Sequence, residues 1–330
     1  MRYLVTGGAG FIGSHLVDEL LARGDDAVVV DDLSTGRLEN LESALESGHA
    51  EFIEGSVCDA DLVREQMGSV DACLHMAAAV GVKLIVDRPV ESLLRNVRGT
   101  DVVISAAAEL GRKVLYASTS EIYGKNGRGA LNELSDRILG PPSTTRWSYS
   151  TSKAFGEVLA FGYHREQGAS TVIARLFNTV GPRQAGSYGM VLPRFVRQAL
   201  ADEDLTVYGD GTQTRCFAHV ADTVRALLLL LDSEEADGAA FNIGSTREIE
   251  IIELARRVIE RSGSSSKISF VPLEVAYEPG FEEVSHRRPN TDALMAMTGW
   301  MPGHSVDDAI DDVIAYQRER VPMNGRLTVA

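Results

Sequence analysis

The chain has 330 residues, of which 44% are hydrophobic and 24% charged, the usual balance of a globular protein. Because a single hydrophobic core usually stops growing at about 250–300 residues, we expect one large domain or two closely joined ones. Asp and Glu number 47 against 32 Lys and Arg, which gives a net charge of -15. A chain this acidic repels a phosphate backbone, so nucleic acid is not an expected partner.

Membrane, secretion and metal features are also not expected. The only long apolar run, residues 226–231, is too short to cross a bilayer, and the N-terminal residues have the pattern of a buried strand rather than of a signal peptide. The three cysteines, Cys58, Cys73 and Cys216, have neither metal-ligand nor CxxC spacing. They predict reduced thiols in a cytoplasmic protein, and the sequence indicates no role for any of them.

Short apolar runs alternate with helical patterns through the first half of the chain. The runs are residues 3–6, 27–30, 52–53, 72–75, 114–117 and 171–174, and the amphipathic stretch 12–22 predicts the first helix. Continuous apolar strands separated by helices are typical of a parallel sheet that is covered on both faces. The sequence therefore predicts a doubly wound α/β fold.

The pattern changes after about residue 175. Prolines become frequent, the strands become short, and two helices are predicted at 191–200 and 251–262. This pattern indicates a smaller and less regular second unit that closes over a ligand. The tail after about residue 320 lacks periodicity and is expected to fray.

A glycine-rich segment follows the first strand and opens the first helix. Residues 6–13 read TGGAGFIG, in which Gly7 permits the turn, Gly10 lets the backbone approach a pyrophosphate, and Gly13 allows close packing of helix on strand. Asp31 ends the second strand, where it can accept hydrogen bonds from ribose hydroxyls and would repel a 2′-phosphate. Arg37 lies too far beyond that strand to reverse this, so NAD is predicted rather than NADP. The predicted cofactor contacts are Gly7, Gly10, Phe11, Ile12, Gly13, Asp31, Asp32, Tyr149 and Lys153.

Tyr149 and Lys153 are four residues apart and share one face if their segment is helical. A tyrosine titrates near pH ~10 and is a poor base at neutral pH. A neighbouring ammonium group and a positive nicotinamide ring favour the phenolate and lower the tyrosine pKa. Behind a dinucleotide fold, the pair predicts a general base and its cationic partner rather than a surface ion pair.

These motifs, in this order, resemble the nucleotide-sugar branch of the extended short-chain dehydrogenase/reductase family. The resemblance covers nearly the whole chain, through residues 7–13, 117–124, 146–153, 175–183, 207–211, 213–215 and 286–289. It implies a Rossmann-type NAD-binding domain over residues 1–175, with a return excursion near 213–243. It also implies a smaller α/β UDP-sugar domain over residues 176–330, and a homodimer.

The resemblance implies oxidation of a UDP-sugar at C4′. Tyr149 would accept the proton of the 4′-hydroxyl with help from Thr119, while Lys153 would hold the nicotinamide ribose. The UDP group would be gripped by Asn178, Arg215 and Arg287, with Tyr208 near the uracil. From the residues alone, an acidic protein that binds a diphosphate needs local cations, which the second half supplies as Arg183, Arg194, Arg215, Arg287 and Arg288.

Glu121 is the best sequence clue to the reaction that follows oxidation. Epimerases that resemble this chain usually carry a small residue at its position, and Ser120 replaces the aspartate that dehydratases would use to expel the 6′-hydroxyl. The sequence Thr119-Ser120-Glu121 resembles UDP-glucuronate decarboxylases instead. A C4′ ketone makes the C5′ carboxylate a β-keto acid that loses CO2, and C5′ protonation and re-reduction give UDP-xylose, or UDP-4-keto-xylose is partly released. We predict that Glu121 orients the substrate carboxylate or its water and that Arg287 shapes the C5′ protonation site.

Two alternatives stay open. Residues 80–83 and 178–184 are similar to sequences of epimerases, which keeps a UDP-glucose or UDP-glucuronate 4-epimerase as the second hypothesis. A non-catalytic NAD-binding regulator is less expected, because Thr119, Tyr149 and Lys153 are all present. Ser56 stands where many relatives place an aspartate that touches adenine, so different adenine contacts are predicted.

Overall fold

The computed structural model describes residues 1–80, 88–127, 129–186, 190–276 and 286–320. Its strands are β1 Arg2–Thr6, β2 Asp26–Asp31, β3 Ala50–Glu54, β4 Ala72–His75, β5 Lys113–Thr119, β6 Ala130–Leu131, β7 Thr171–Leu176, β8 Thr179–Val180, β9 Leu205–Tyr208, β10 Thr214–Cys216, β11 Ala218–His219, β12 Ala239–Ile243, β13 Glu248–Glu250, β14 Ile268–Val271 and β15 Arg288–Pro289. Its helices are α1 Phe11–Ala22, α2 Glu42–Glu46, α3 Ala60–Gly68, α4 Pro89–Glu109, α5 Trp147–Gln167, α6 Val191–Leu200, α7 Val220–Asp232, α8 Ile251–Ser262, α9 Leu273–Ala276, α10 Asp292–Thr298 and α11 Val306–Arg320.

The central sheet has the strand order β12-β7-β5-β4-β1-β2-β3, and every pairing in it is parallel. The predicted doubly wound α/β fold is therefore confirmed. The helices predicted at 12–22, 191–200 and 251–262 are also confirmed, as α1, α6 and α8.

Both faces of the sheet are buried because helices cover each of them. Side chains alternate along a strand, so Tyr3 and Val5 of β1 pack with α1 and α7, while Leu4 packs with α3 and α4 on the opposite face. This explains why the sequence shows continuous apolar runs rather than alternation. Among the described residues, no helix is both long enough and apolar enough to cross a membrane.

The second half of the chain builds a smaller unit around α6, α8 and α11. These three helices pack on one another and on the parallel pair β9 and β14, over an apolar core of their own. The chain also returns to the central sheet, where β12 pairs with β7 and α7 packs against α1. The division near residue 175 stays a prediction, as does the fraying of the tail, which lies outside the described residues.

The strand order reverses on the two sides of β1. From β1 the chain proceeds outward through β2 and β3, then crosses to β4 on the other side. A reversal of this kind opens a crevice beyond the carboxyl ends of the strands, where doubly wound proteins bind ligands. The glycine-rich segment, Asp31 and Thr119 all lie at these strand ends.

Candidate active site

A cavity of about 430 Å³ occupies the crevice at the carboxyl ends of the strands. This volume is within the range of small-molecule sites. Its wall includes all nine predicted cofactor contacts, from Gly7 through Lys153, together with Thr119, Ser120, Glu121, Asn178 and Arg287. The structure thus brings together residues that are up to 280 positions apart, counted from Gly7 to Arg287.

The glycine-rich segment forms a tight turn into α1. Gly7 has a φ of +70°, and a Cβ atom at Gly13 would lie 2.2 Å from the carbonyl oxygen of Gly7. No side chain larger than hydrogen fits at Gly13 without a shift of the turn. No side chain of the described residues caps α1 at Gly10, and residues 10–13 at the start of this helix line the cavity. Such a turn fits a pyrophosphate.

Asp31 is a buried carboxylate at the end of β2. Its Oδ2 accepts from the Ala9 N–H at 3.0 Å and its Oδ1 accepts from the Leu33 N–H at 2.9 Å. Burial raises the pKa of Asp31, and the two N–H donors act in the opposite direction. Arg95 pairs with neighbouring Asp32 at 3.1 Å and was not predicted from the sequence. A carboxylate held in this way fits the ribose end of NAD.

Lys153 is 3% exposed on α5, and its Nζ donates to the Ala117 carbonyl oxygen at 2.8 Å. Burial lowers the pKa of Lys153 to about 7, against a smaller opposing effect of the Glu157 charge. Tyr149 lies on the same helix, as the sequence predicted. Burial and the Glu121 charge raise the pKa of Tyr149 above its ordinary value. The protein's own groups therefore oppose the predicted lowering of the tyrosine pKa, because burial and the Glu121 carboxylate both disfavour the phenolate.

The end of β5 turns directly into a short 3-10 helix, Ser120–Tyr123. The Oγ1 of Thr119 accepts from the Glu121 N–H at 3.2 Å and so caps this turn. Ser120 is buried beneath it and also lines the cavity. Thr119 thus fixes the backbone that presents Glu121, in addition to any direct contact with a ligand.

Glu121 lies between two arginines. The Nη1 of Arg287 donates to its Oε1, and the Nη2 of Arg146 lies 3.7 Å from its Oε2. Burial alone raises the pKa of Glu121, but the charges of Arg287, Arg146 and Arg215 outweigh burial and lower it to about 2. Glu121 is therefore an anion throughout the neutral range and is not a proton donor at rest.

Arg287 keeps part of its hydrogen-bonding capacity for a ligand. The residue is 5% exposed, and its Nε and Nη2 atoms are buried with no hydrogen-bond partner among the described residues. Unsatisfied buried donors on a charged group are costly unless an anion meets them. Arg146 was missed by sequence reasoning, although it is the N-terminal cap of α5 and its spacing of three and seven residues from Tyr149 and Lys153 is that of one helix face.

The other predicted substrate contacts have different surroundings. Asn178 lines the cavity, and its side chain donates to the Cys216 carbonyl oxygen at 3.3 Å. Arg215 lies outside the cavity wall but acts on Glu121 through its charge. Arg194 stacks over the Tyr208 ring at 4.1 Å, and neither residue lines the cavity. Their contact with UDP stays a prediction.

Arg183 does not lie in the wall of this cavity either. It pairs with Asp18 of α1 at 2.7 Å and lines a second cavity. Ser56, by contrast, lines the first cavity, at the position where a different adenine contact was predicted. Of the epimerase-like residues 80–83, only Val80 is within the described part of the chain.

The fold and the site define a dinucleotide-binding α/β protein with a tyrosine–lysine pair beside a buried Glu–Arg cluster. The model of the NAD dependent epimerase/dehydratase family matches residues 3–244. The chain belongs to this family, which confirms the resemblance drawn from its motifs. The cofactor of the family is NAD, and the glycine turn and Asp31 fit that cofactor.

The relatives named as decarboxylases align over nearly the whole chain. A UDP-N-acetyl-alpha-D-glucosaminuronate decarboxylase of Bacillus cytotoxicus is 41% identical over 96% of this chain and 98% of its own length. UDP-glucuronic acid decarboxylase 4 of Arabidopsis thaliana is 36% identical over 97% of this chain and 69% of its own length. Among solved structures, the UDP-glucuronic acid 4-epimerase of Bacillus cereus, in complex with UDP-glucuronic acid and NAD, matches with a TM-score of 0.86. It is 28% identical, over 97% of this chain and 100% of its own.

Proposed function

We propose that the protein is an NAD-dependent UDP-glucuronate decarboxylase. It oxidises the sugar at C4′, releases CO2 from the resulting β-keto acid, protonates C5′ and reduces C4′ again to give UDP-xylose, with partial release of UDP-4-keto-xylose. The observation that carries the proposal is the cluster of Glu121 with Arg287 and Arg146 in the same cavity as Tyr149 and Lys153. The relatives named as decarboxylases support it.

The cofactor would be held by the turn at Gly7 to Gly13 and by Asp31. When bound, NAD accepts and returns the C4′ hydride, and its positive ring favours the tyrosine phenolate. That added charge is needed here, because burial and Glu121 raise the pKa of Tyr149. A positive ring and the Lys153 ammonium together act against both effects.

Tyr149 takes the 4′-hydroxyl proton during oxidation and gives it back during reduction. Thr119 lines the same cavity and can donate a hydrogen bond to the C4′ oxygen. This bond stabilises the negative charge that develops on the C4′ oxygen during loss of CO2. The electron pair of the broken C5′–carboxylate bond passes into the C4′ ketone as an enolate. Protonation of C5′ then consumes one proton from a water molecule beside Glu121.

The two arginines provide the place for the substrate carboxylate. The unpartnered Nε and Nη2 atoms of Arg287 can donate to it, while Glu121 keeps the guanidinium in position. A neutral hexose would leave these buried donors unsatisfied, which disfavours a UDP-glucose epimerase. The anionic substrate of the Bacillus cereus epimerase makes UDP-glucuronate 4-epimerisation the alternative.

The Bacillus cytotoxicus relative supports a second candidate substrate, UDP-N-acetylglucosaminuronate. The test is turnover of the purified protein with NAD on this sugar, on UDP-glucuronate and on UDP-glucose, followed by product mass. Loss of CO2 from UDP-glucuronate with the highest kcat/KM supports the proposal. A higher kcat/KM for the acetamido sugar would make UDP-N-acetylglucosaminuronate the substrate in place of UDP-glucuronate. Turnover of UDP-glucose alone would exclude a decarboxylase.

We also propose that the protein is a cytoplasmic homodimer. The packed pair α4 and α5 carries an exposed apolar face, made of Val90, Leu94, Phe155, Val158 and Phe161. A second copy of the chain is a suitable cover, because a two-fold interface uses the same patch on both chains and so buries both apolar faces at once. Sedimentation of the wild type as a dimer and of Val158→Asp as a monomer would support this. A wild-type monomer at micromolar concentration would exclude it.

A further inference from the structure

A second cavity of about 640 Å³ adjoins the glycine turn and the first cavity. It is bounded by the N-terminal end of α1, by α6 and by the last turns of α11. Of the residues placed in the chemistry, Thr119, Glu121, Tyr149 and Lys153 are all absent from its wall. Gly10 and Phe11, two of the predicted cofactor contacts, line both cavities, but the reaction proposed above gives no role to the arginines of the second.

Among the described residues of the second cavity's wall, four are arginines, namely Arg37, Arg183, Arg197 and Arg320, and none is an aspartate or a glutamate. This concentration of positive charge stands out in a chain with a net charge of -15. Two carboxylates that are not part of the wall act on residues that line it. Asp18 forms an ion pair with Arg183, and the charge of Glu39 raises the pKa of Tyr316.

Most of these guanidinium groups lack a carboxylate partner. Within the described ranges, Arg37 and Arg197 form no ion pair and no side-chain hydrogen bond, and Arg320 only stacks on the Tyr316 ring at 4.5 Å. The charges of Arg320, Arg183 and Arg37 all act on the Tyr316 hydroxyl, and all three residues line the cavity together with Tyr316. Arginines that gather without carboxylates are suited to a ligand with several negative charges.

The backbone at Arg183 is also unusual. Its φ is +66°, in the left-handed region that few residues other than glycine adopt. The turn is held on both sides, since His15 lies 3.1 Å from the Pro182 carbonyl oxygen and Asp18 pairs with Arg183. The protein thus keeps an arginine at the cavity wall in a conformation that costs energy, as is common at binding sites.

We propose that the second cavity binds the phosphate groups of a polyphosphate or nucleoside polyphosphate and that its occupancy weakens NAD binding. The cavity has the volume of a small-molecule site. Six described residues line both cavities, namely Gly10, Phe11, Thr35, Val80, Gln184 and Met190, so a polyanion in the second cavity lies beside the pyrophosphate turn. Like charges repel across this shared wall, and the effect is reciprocal.

The test is calorimetric titration of the full chain with inorganic tripolyphosphate, without divalent cations, while NAD and UDP saturate the first cavity. We expect one binding site. Arg197→Ala and Arg320→Ala should each weaken it by roughly tenfold, the effect of losing a charge-assisted hydrogen bond. Arg318→Ala is the matched control, because Arg318 is an exposed arginine of α11, the helix that carries Arg320, and is not part of the wall.

A parallel titration with ATP separates the two sources of the ligand. Equal affinity for ATP and tripolyphosphate assigns the site to phosphate groups alone, and tighter binding of ATP assigns it to a nucleotide. Tripolyphosphate should raise the apparent Kd for NAD to a plateau. Three results would overturn the proposal: no binding when the first cavity is filled, undiminished binding by both variants, or an NAD Kd that rises without limit, which marks competition for a single site.

Discussion

Arg287 donates to the carboxylate of Glu121 across 166 positions of sequence, inside the cavity that also holds Tyr149. The contact joins the 3-10 turn that follows the central strand β5 to the residue just before β15 in the second half of the chain. It places one positive and one negative group next to the expected position of the substrate carboxylate. Several consequences can be measured.

Substitution of Glu121 by glutamine should separate binding from turnover. Glu121→Gln removes a carboxylate that competes for Arg287, so we expect UDP-glucuronate to bind at least as tightly as to the wild type. Turnover should fall about a hundredfold, because the charge that orients the substrate or its water is lost. Steady-state kcat and KM measure both effects.

The matched control is Glu166→Gln, which changes an exposed glutamate of α5 in the same way. It should behave like the wild type. Full turnover of UDP-glucuronate by Glu121→Gln would remove this residue from the chemistry, and a raised KM with unchanged kcat would assign it to binding alone.

Arg146 should contribute to recognition of the sugar carboxylate. In Arg146→Gln we expect the KM for UDP-glucuronate to rise roughly tenfold, since one of two cations beside Glu121 is lost. The Kd for UDP, which has no sugar carboxylate, should not change. Arg165→Gln, which changes an exposed arginine in the last turn of α5, is the control. A parallel loss of UDP affinity would show that Arg146 acts on the nucleotide or on the fold.

Gly13 should tolerate no side chain. In Gly13→Ala the new Cβ would lie 2.2 Å from the Gly7 carbonyl oxygen, so the pyrophosphate turn must shift. We expect NAD affinity to fall by about a hundredfold, the scale of a displacement near 1 Å at a site. Gly162→Ala is the control, because its Cβ would meet nothing within 4 Å. Fluorescence titration with NADH gives the affinities, and equal values for both variants would contradict the role of Gly13.

The buried Lys153 predicts a pH-dependent stability. Its pKa is about 7 in the folded chain and 10.5 ordinarily, so between these values the unfolded chain binds more protons. The free energy of unfolding therefore rises with pH in this window, by up to about 1.4 kcal/mol per pH unit from this group. The group destabilises the fold fully below pH ~7 and ceases to do so near its ordinary pKa.

Urea unfolding of the wild type and of Lys153→Met, after removal of bound nucleotide, measures this contribution. The advantage of the methionine variant should be largest near pH 7 and should shrink toward pH 10. Parallel stability curves across this range would mean that Lys153 keeps an ordinary pKa in the folded protein.

Local patterns predicted residues that the structure brings together in the wall of the first cavity. The glycine turn, Asp31 and the Tyr149–Lys153 pair depend on neighbours in the chain or on the ends of adjacent strands, and spacing alone indicates them. The helices predicted at 191–200 and 251–262 match for a similar reason, since amphipathic periodicity is local.

Features that depend on tertiary contact could not be predicted in the same way. Arg183 follows Asn178 closely in sequence, but its left-handed backbone and its pairing with Asp18 direct it to another cavity. Arg146 lies beside Glu121, which also accepts a hydrogen bond from Arg287 in a distant part of the chain. Its role therefore depends on contacts that the local sequence does not show. The raised pKa of Tyr149 depends on burial, which spacing does not reveal.

The central claim is that this protein breaks the bond between C5′ and the carboxylate of UDP-glucuronate. The most direct measurement is the mass of the product formed with NAD in D2O, with NADH absorbance followed alongside. We predict a product that has lost CO2 and gained one deuterium at C5′, as UDP-xylose with little NADH or as UDP-4-keto-xylose with equivalent NADH. A product of unchanged mass and new retention time would contradict the account and establish a 4-epimerase.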